Sequence, residues 1–314
     1  MGMKITGFDQ ITAWISGAAI SGLIFTGVWY AGKYMANRAI EADEQRAAAA
    51  QHDLKNLRND TPAEHESQTS SKSEASTQHV TDHELQNEPL EHWGYTGNLA
   101  PWYWNGLNTK WAACGAKTGQ SPIDISGAKL DESLKSLKFY YTHGITHMTL
   151  LHETVQGEVD HGSYMEWDGE RYDLHHVMFR TPSEHRVNSL PWEMEIQLEH
   201  VAVTGKIILL SFLVTPGKPS ELINYLTTDL PRMEGEVKDI ERVNWGGLLP
   251  AKRTYWTYTG STTTPPCLPD AKWIIFTDQI TTSKKTIDKL VLLQKSNVRP
   301  VYSLGKRVLG RSNR

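Results

Sequence analysis

The amino-acid sequence predicts a mostly β (α+β) domain of about 220 residues, built on a large central sheet with few helices and preceded by one transmembrane helix. From His92 onward, short segments such as LKFYYTHG, EMEIQLEHVAV and KIILLSFLV recur between turn signals, and several alternate apolar and polar residues as half-buried strands do. Helical periodicity is sparse, apart from short stretches near residues 220–226 and 286–294. Ahead of this region, residues 10–32 contain no charged side chain.

The uncharged segment, QITAWISGAAISGLIFTGVWYAG, is the predicted membrane helix and follows a short N-terminal tail, residues 1–9. At 1.5 Å rise per residue, residues 10–32 are long enough to cross a hydrocarbon core of roughly 30 Å. Trp14 and Trp29 lie near opposite ends, where amphipathic rings favour the membrane interface. A cleaved signal peptide is the alternative, but the apolar stretch is longer than a usual signal core and no clear small-residue cleavage site follows it.

Two polar segments separate this helix from the domain. Residues 33–59 are alanine-rich and charged, and every residue there is a tolerable helix former, which predicts a helical stalk. Residues 60–91 are rich in Ser, Thr, Gln, Glu and His. A segment of that composition cannot bury enough apolar surface to offset its ordering entropy, so we expect a flexible polar linker.

Charge and cysteine content narrow the possible partners and compartments. The formal net charge of −4 gives no indication of a nucleic-acid partner. Cys114 and Cys267 are too few for a metal cluster, and they are either two free buried thiols or one disulfide that closes a long loop. The cations flanking the membrane segment weakly place the stalk on the cytoplasmic side, whereas a disulfide would indicate the opposite orientation.

An ordered series of motifs runs through residues 92–308, leaving residues 309–314 as a tail. The motifs are HWGYTGNLAPWYWNGL, CGAKTGQSPIDI, TPSEH, EMEIQLEH, LLP, YWTYTGSTTTPPC and NVRPVYSLGKRV. Together they resemble the α-carbonic anhydrase family across nearly the whole of this region. The resemblance implies a large, mainly antiparallel central sheet. It also implies a disulfide between Cys114 and Cys267, and hence a domain in an oxidising space: the periplasm, the extracellular side, or an organelle lumen or intermembrane space.

Alignment with the family also shows where this sequence departs from it, at the metal site. The family holds Zn²⁺ with three neutral histidines, and the metal lowers the pKa of a bound water to about 7. Aligning on TPSEH and EMEIQLEH puts Met178, Arg180 and Gln197 at the three histidine positions. A thioether is a weak ligand, an amide is a poor one and a guanidinium is a permanent cation, so we predict that zinc is absent. His176 points to the same face as Met178, but no triplet of histidines shares the pocket.

Several other pocket residues match the family, although their surroundings differ. Glu184 and Glu195 match the carboxylates behind the metal ligands, and Thr263, with Thr264 beside it, matches the threonine that orients the bound hydroxide. Glu153 aligns loosely with the proton-shuttle position.

A carboxylate also falls in the pocket's apolar wall, because Glu199 replaces an apolar residue of the CO₂ pocket. A carboxylate facing an apolar pocket is costly unless it is paired. We therefore predict an ion pair between Arg180 and Glu199, with Arg180 supplying the charge that zinc gave to the two carboxylates. The alternative is that Arg180 extends to solvent.

These features predict a membrane-anchored, catalytically inactive carbonic anhydrase-like protein. It would act as a binding or scaffolding subunit, with protein partners in a membrane complex or with an acidic ligand at Arg180. The alternative is an active zinc carbonate dehydratase, catalysing reversible CO₂ hydration with an atypical metal site. Esterase chemistry is a further possibility, but no nucleophile with an adjacent base supports it.

Overall fold

The strand-like segments of the sequence form one large mixed β-sheet, seen in a computed structural model that describes residues 92–313. The sheet has 13 strands, and most of its neighbouring pairs are antiparallel. Three short strands, β1, β8 and β9, form a second sheet. The predicted mostly β fold with a large, mainly antiparallel sheet is confirmed. The strands are β1 (Asp124–Ile125), β2 (Lys129–Leu130), β3 (Lys138–Tyr140), β4 (Gly144–Leu151), β5 (Thr154–Val159), β6 (Tyr164–Trp167), β7 (Glu170–Arg180), β8 (Arg186–Val187), β9 (Leu190–Pro191), β10 (Met194–Val201), β11 (Ile207–Pro216), β12 (Val237–Val243), β13 (Tyr255–Ser261), β14 (Pro269–Phe276), β15 (Ile280–Thr282) and β16 (Gly310–Arg311).

Within residues 92–313, helices are few and short, as predicted. Ser220 and Ser283 begin the two longer ones, because each side chain accepts a hydrogen bond from a backbone N–H of the first turn that has no helical partner. The α-helices are α1 (Trp104–Leu107), α2 (Glu221–Leu226) and α3 (Lys284–Gln294), and the 3₁₀ helices are Gly97–Leu99, Thr109–Gly115 and Trp245–Leu248.

The centre of the large sheet is the antiparallel pair β7 and β10, which is buried on both faces. Because successive strand residues point to opposite faces, the side chains of β10 lie in two different environments. Ile196 and Leu198 enter the main hydrophobic core. Glu195 and Gln197 point to the other face and are also fully buried. These two side chains belong to a buried polar cluster, which lies against the middle of the sheet.

One disulfide ties two distant parts of the chain together. Cys114 in the 3₁₀ helix Thr109–Gly115 is bonded to Cys267, which follows β13, with their Cα atoms 5.1 Å apart. The pairing implied by the family resemblance is confirmed, and it indicates folding in an oxidising compartment.

The structure describes the C-terminal part of the chain, through residue 313, but not the N-terminal segments ahead of the domain. The predicted tail, transmembrane helix, stalk and linker, residues 1–91, lie outside the described residues. Within residues 92–313, no helix has the length and apolar character needed to cross a membrane. The predicted domain end at residue 308 is too early, because Leu309 is buried and Gly310–Arg311 pairs with β13 and β2.

Candidate active site

The three positions that the resemblance assigns to zinc ligands lie together on the two central strands. Met178 and Arg180 are two residues apart on β7 and therefore share a face. The strand register pairs Gln197 with Met178, and Glu195 with Arg180. Arg180 and Gln197 have no solvent-exposed surface, and Met178 is buried as well. The register alone brings a thioether, a guanidinium and an amide to one buried point.

The Arg180 guanidinium is surrounded by acceptors. Its Nε lies 3.4 Å from Glu184 Oε2 and donates to Gln197 Oε1 at 3.3 Å. One terminal nitrogen donates to the Tyr95 hydroxyl and, at 3.1 Å, to the Asn297 carbonyl oxygen. Burial by itself lowers the pKa of Arg180, but the Glu184 charge and Tyr95 reverse this effect and raise the pKa above its usual value. The side chain is therefore a buried cation.

The predicted ion pair between Arg180 and Glu199 is wrong. Glu199 pairs instead with His176, whose Nδ1 lies 3.2 Å from Glu199 Oε1. The register explains the difference, because Glu199 stands opposite His176 whereas Arg180 stands opposite Glu195. Glu195 and Glu199 are four residues apart on one strand, about 13 Å. The alternative in which Arg180 extends to solvent is also wrong, because its side chain is wholly buried.

A second buried carboxylate, Glu195, is held by neutral and basic donors. His185 donates to it from its backbone N–H at 2.9 Å and contacts it through Nδ1 at 2.9 Å. The Ser211 hydroxyl and the Gln197 amide also donate, at 2.7 and 3.1 Å. Burial raises the pKa of Glu195, but the interaction with His185 and these hydrogen bonds lower it to about 2. Gln197 also donates to Glu184 at 2.9 Å and so joins the two carboxylates.

The remaining predicted pocket residues divide between the cluster and its surroundings. Thr263 Oγ1 lies 3.5 Å from a terminal nitrogen of Arg180 and belongs to the cluster. Thr264 lines a neighbouring cavity. Glu153 belongs to neither, because its carboxylate accepts a hydrogen bond from the Tyr95 backbone N–H at 2.9 Å. The structure thus brings most of the predicted site together but leaves Glu153 outside it.

The neighbouring cavity has a volume of about 260 Å³. Met178 separates it from the buried Arg180, and His176 with Glu199 forms one side. Glu199 raises the pKa of His176 through the hydrogen bond between them. The His176 side chain is half exposed, and its Nδ1 is held by Glu199. The full lining consists of Gln156, His176, Met178, Glu199, Thr262, Thr264, Pro265, Pro266 and Leu268.

Two residues that contact Arg180, Tyr95 and Asn297, were not predicted as site residues. Tyr95 lies in the HWGY motif and Asn297 in NVRP, each far from Arg180 along the chain. The motifs could have pointed to them as segments that meet the site. Nothing in the spacing indicates that a phenol and a carbonyl oxygen would accept bonds from the arginine.

The donor set at the three central positions does not fit zinc. Zn²⁺ in proteins binds nitrogen, thiolate and carboxylate donors, whereas a guanidinium offers only N–H donors and a positive charge. The second terminal nitrogen of Arg180 is 3.5 Å from Met178 Sδ, and Nε contacts Gln197, so the guanidinium lies between the other two positions. Elsewhere in residues 92–313, no three His, Cys, Asp or Glu side chains are placed to hold a metal.

Comparisons with known proteins agree on the family. The family described as eukaryotic-type carbonic anhydrase matches residues 99–313. A carbonic anhydrase of a Nostoc species is 30% identical over 69% of this chain and 84% of its own length. A carbonic anhydrase of Klebsiella pneumoniae is 29% identical over 69% of this chain and 90% of its own length. The solved α-carbonic anhydrase of Thermovibrio ammonificans, a complex with the inhibitor sulfanilamide, is 30% identical, covers 70% of this chain and 98% of its own, and has a TM-score of 0.68.

These comparisons contradict the prediction of a catalytically inactive binding or scaffolding subunit. Relatives matched over most of their length are named carbonic anhydrases, and they include proteins of bacteria and of Arabidopsis thaliana. The prediction rests on individual pocket residues, whereas the comparisons cover nearly the whole domain, and they favour the alternative of an enzyme. The fold, the motif order and the matched length together show that the chain belongs to the α-carbonic anhydrase family.

Proposed function

We propose that this chain is a carbonic anhydrase, catalysing the reversible hydration of CO₂, with an atypical site. Family membership and the names of the relatives support the reaction. The observation that carries the proposal is the cavity beside the buried cluster, with a histidine–carboxylate pair on its wall. Its volume of about 260 Å³ accommodates CO₂ together with a water molecule.

His176 is the residue best placed to handle the proton of the reaction. Hydration forms a bond between a water oxygen and the carbon of CO₂ and releases one proton, giving bicarbonate. Glu199 holds Nδ1 of His176, which leaves Nε2 to accept the proton from the attacking water. Thr264 lines the same cavity and offers a hydroxyl group to an oxygen of CO₂ or bicarbonate, whereas the Thr262 hydroxyl already donates to the Thr264 carbonyl oxygen at 3.3 Å.

Zinc supplies a bound hydroxide where a protein holds it with three ligands and one open position. Met178, Arg180 and Gln197 do not offer such a site, so no step is assigned to a metal at these positions. The residues that act are therefore those of the cavity wall.

The reaction can be tested directly on the purified full chain. We expect stopped-flow measurement with a pH indicator to show CO₂ hydration faster than in matched buffer. His176→Ala should lower the rate by about 10²-fold, in line with loss of a general base. His147→Ala is the matched control, because His147 is a partly exposed histidine paired with Asp160 and Asp239 and lies outside the cavity lining. A wild-type rate equal to the buffer rate would refute the proposed reaction.

We also propose that residues 10–32 anchor the protein, with the domain on the oxidising side of the membrane. The uncharged sequence of the segment supports the anchor, and the disulfide supports the orientation. We expect the full chain to stay in the membrane pellet after alkaline carbonate extraction, and a variant lacking residues 10–32 to appear in the supernatant. Release of the full chain would contradict the anchor. The protein partner in a membrane complex stays a prediction.

A further inference from the structure

We infer that the Arg180 guanidinium takes the place of a metal cation at the centre of this site, and that it keeps divalent metals out. The inference concerns what occupies the buried centre and holds whether or not the chain hydrates CO₂. Three observations carry it: the position of the guanidinium, the saturation of its N–H groups and the charge balance around it.

The guanidinium lies where three converging ligands would meet a metal. Its nitrogens reach the side chains of both other central positions, with Gln197 Oε1 at 3.3 Å and Met178 Sδ at 3.5 Å. It also reaches Thr263 Oγ1 at 3.5 Å on a third segment. The space between these side chains is filled, because Arg180 has no exposed surface. A metal ion would have to displace the guanidinium before it could bind both neighbours together.

The N–H groups of Arg180 are used by partners from distant segments and by one carboxylate of its own segment. Apart from the contacts with the other two central positions and Thr263, these partners are Tyr95, Thr154, Asn297 and Glu184. A buried, planar cation with five donors is stable only when acceptors are arranged around it in this way. Moving Arg180 aside would remove a donor from each of these acceptors and a cation from Glu184, so the side chain is held in place.

The charge of Arg180 also offsets that of the buried carboxylates, to which His185 and Arg299 contribute as well. Glu184 is fully buried and lies 3.4 Å from Arg180 Nε, while its other oxygen accepts only a backbone N–H, that of Arg299, at 3.1 Å. Glu195, the second carboxylate, is linked to the same cation through the Gln197 amide. A zinc ion added beside the guanidinium would place like charges in contact at low dielectric.

Metal binding by matched variants tests the inference. Three proteins are dialysed against ZnCl₂ or CoCl₂ and then against metal-free buffer. They are the wild type, the double variant M178H/Q197H, which keeps Arg180, and the triple variant M178H/R180H/Q197H. Bound metal is measured by mass spectrometry, and Co²⁺ geometry by visible absorption. We expect wild type and double variant to retain less than about 0.1 metal ion per chain, and the triple variant about one with a tetrahedral Co²⁺ spectrum.

Two results would overturn the inference. One is a wild type that retains about one zinc ion per chain with a tetrahedral Co²⁺ spectrum. The other is a double variant that binds zinc as tightly as the triple variant, which would mean that Arg180 moves aside. If the triple variant does not fold, M178H/R180Q/Q197H replaces it and should bind zinc at least about tenfold more tightly than the double variant, because its residue 180 is uncharged.

The same samples separate this inference from the proposed reaction. A metal-free wild type without CO₂ hydration would refute the reaction and leave the role of Arg180 intact. A wild type with zinc at these positions would refute the role of Arg180, and its hydration rate would still decide the reaction.

Discussion

Replacing Arg180 with methionine should lower the free energy of unfolding by about 3–5 kcal/mol, the usual loss when one partner of a buried ion pair is removed. Methionine replaces only the stem of arginine and leaves the space of the terminal nitrogens unfilled, so the loss combines the missing charge with lost packing. Glu184 would stay buried with only the Gln197 amide, at 2.9 Å, and the Arg299 N–H, at 3.1 Å. Chemical denaturation followed by tryptophan fluorescence measures the effect.

Two controls separate the charge from the packing. Adding Glu184→Gln to Arg180→Met removes both charges and should recover at least about 1 kcal/mol relative to the single variant. Arg171→Met removes a surface guanidinium, which contacts Asp173 at 2.5 Å and is more than half exposed, and should cost less than about 1 kcal/mol. A loss below about 0.5 kcal/mol for Arg180→Met would show that the buried pair is not structural.

Much of the fold could be predicted because its signals are local. The segment EMEIQLEH became a central strand whose two faces can be read from the sequence, with Ile196 and Leu198 in the core and Glu195 and Gln197 facing the polar cluster. The sparse helical periodicity near residues 220–226 and 286–294 corresponds to the two longer helices. The C-terminal boundary was missed because the two-residue strand Gly310–Arg311 exists only through its pairing with β13 and β2.

The partners within the site could not be predicted in the same way. The alignment with the family brought Met178, Arg180 and Gln197 together, but it could not choose among Glu184, Glu195 and Glu199 as the partner of Arg180. That choice depends on the register between β7 and β10. It also depends on the reach of a long side chain toward Glu184 on its own segment.

The functional prediction failed for a related reason. The prediction of an inactive protein rests on the three side chains at the central positions, on Glu199 in the apolar wall and on the loose match of Glu153 to the proton-shuttle position. The cavity with His176 and Glu199 was invisible in the sequence, since Glu199 was assigned to the wrong partner. A site can lose one set of donors and still present acid–base groups beside it.

Removing the disulfide should lower the free energy of unfolding by about 5 kcal/mol, because the bond closes a loop with a sequence separation of 153 residues. In the chain-entropy model, the unfolded chain gains the freedom that the cross-link had removed, and the gain grows with the length of the loop. The variant Cys114→Ser/Cys267→Ser should therefore show a lower denaturation midpoint. Both cysteines are buried, so some packing is lost as well.

Reduction of the disulfide in the wild type is the control for this variant, and cysteine labelling in native membranes tests the compartment. Adding a thiol reductant should lower the stability of the wild type to about that of the serine variant and leave the variant unchanged.

Native membranes denatured with an alkylating reagent and no reductant should yield protein with neither cysteine labelled, because an oxidising compartment keeps the bond intact. Two labelled cysteines would place the domain in a reducing compartment and contradict the proposed orientation. A bond that forms in the cell but contributes under about 1 kcal/mol would instead show that residual structure already constrains the unfolded chain.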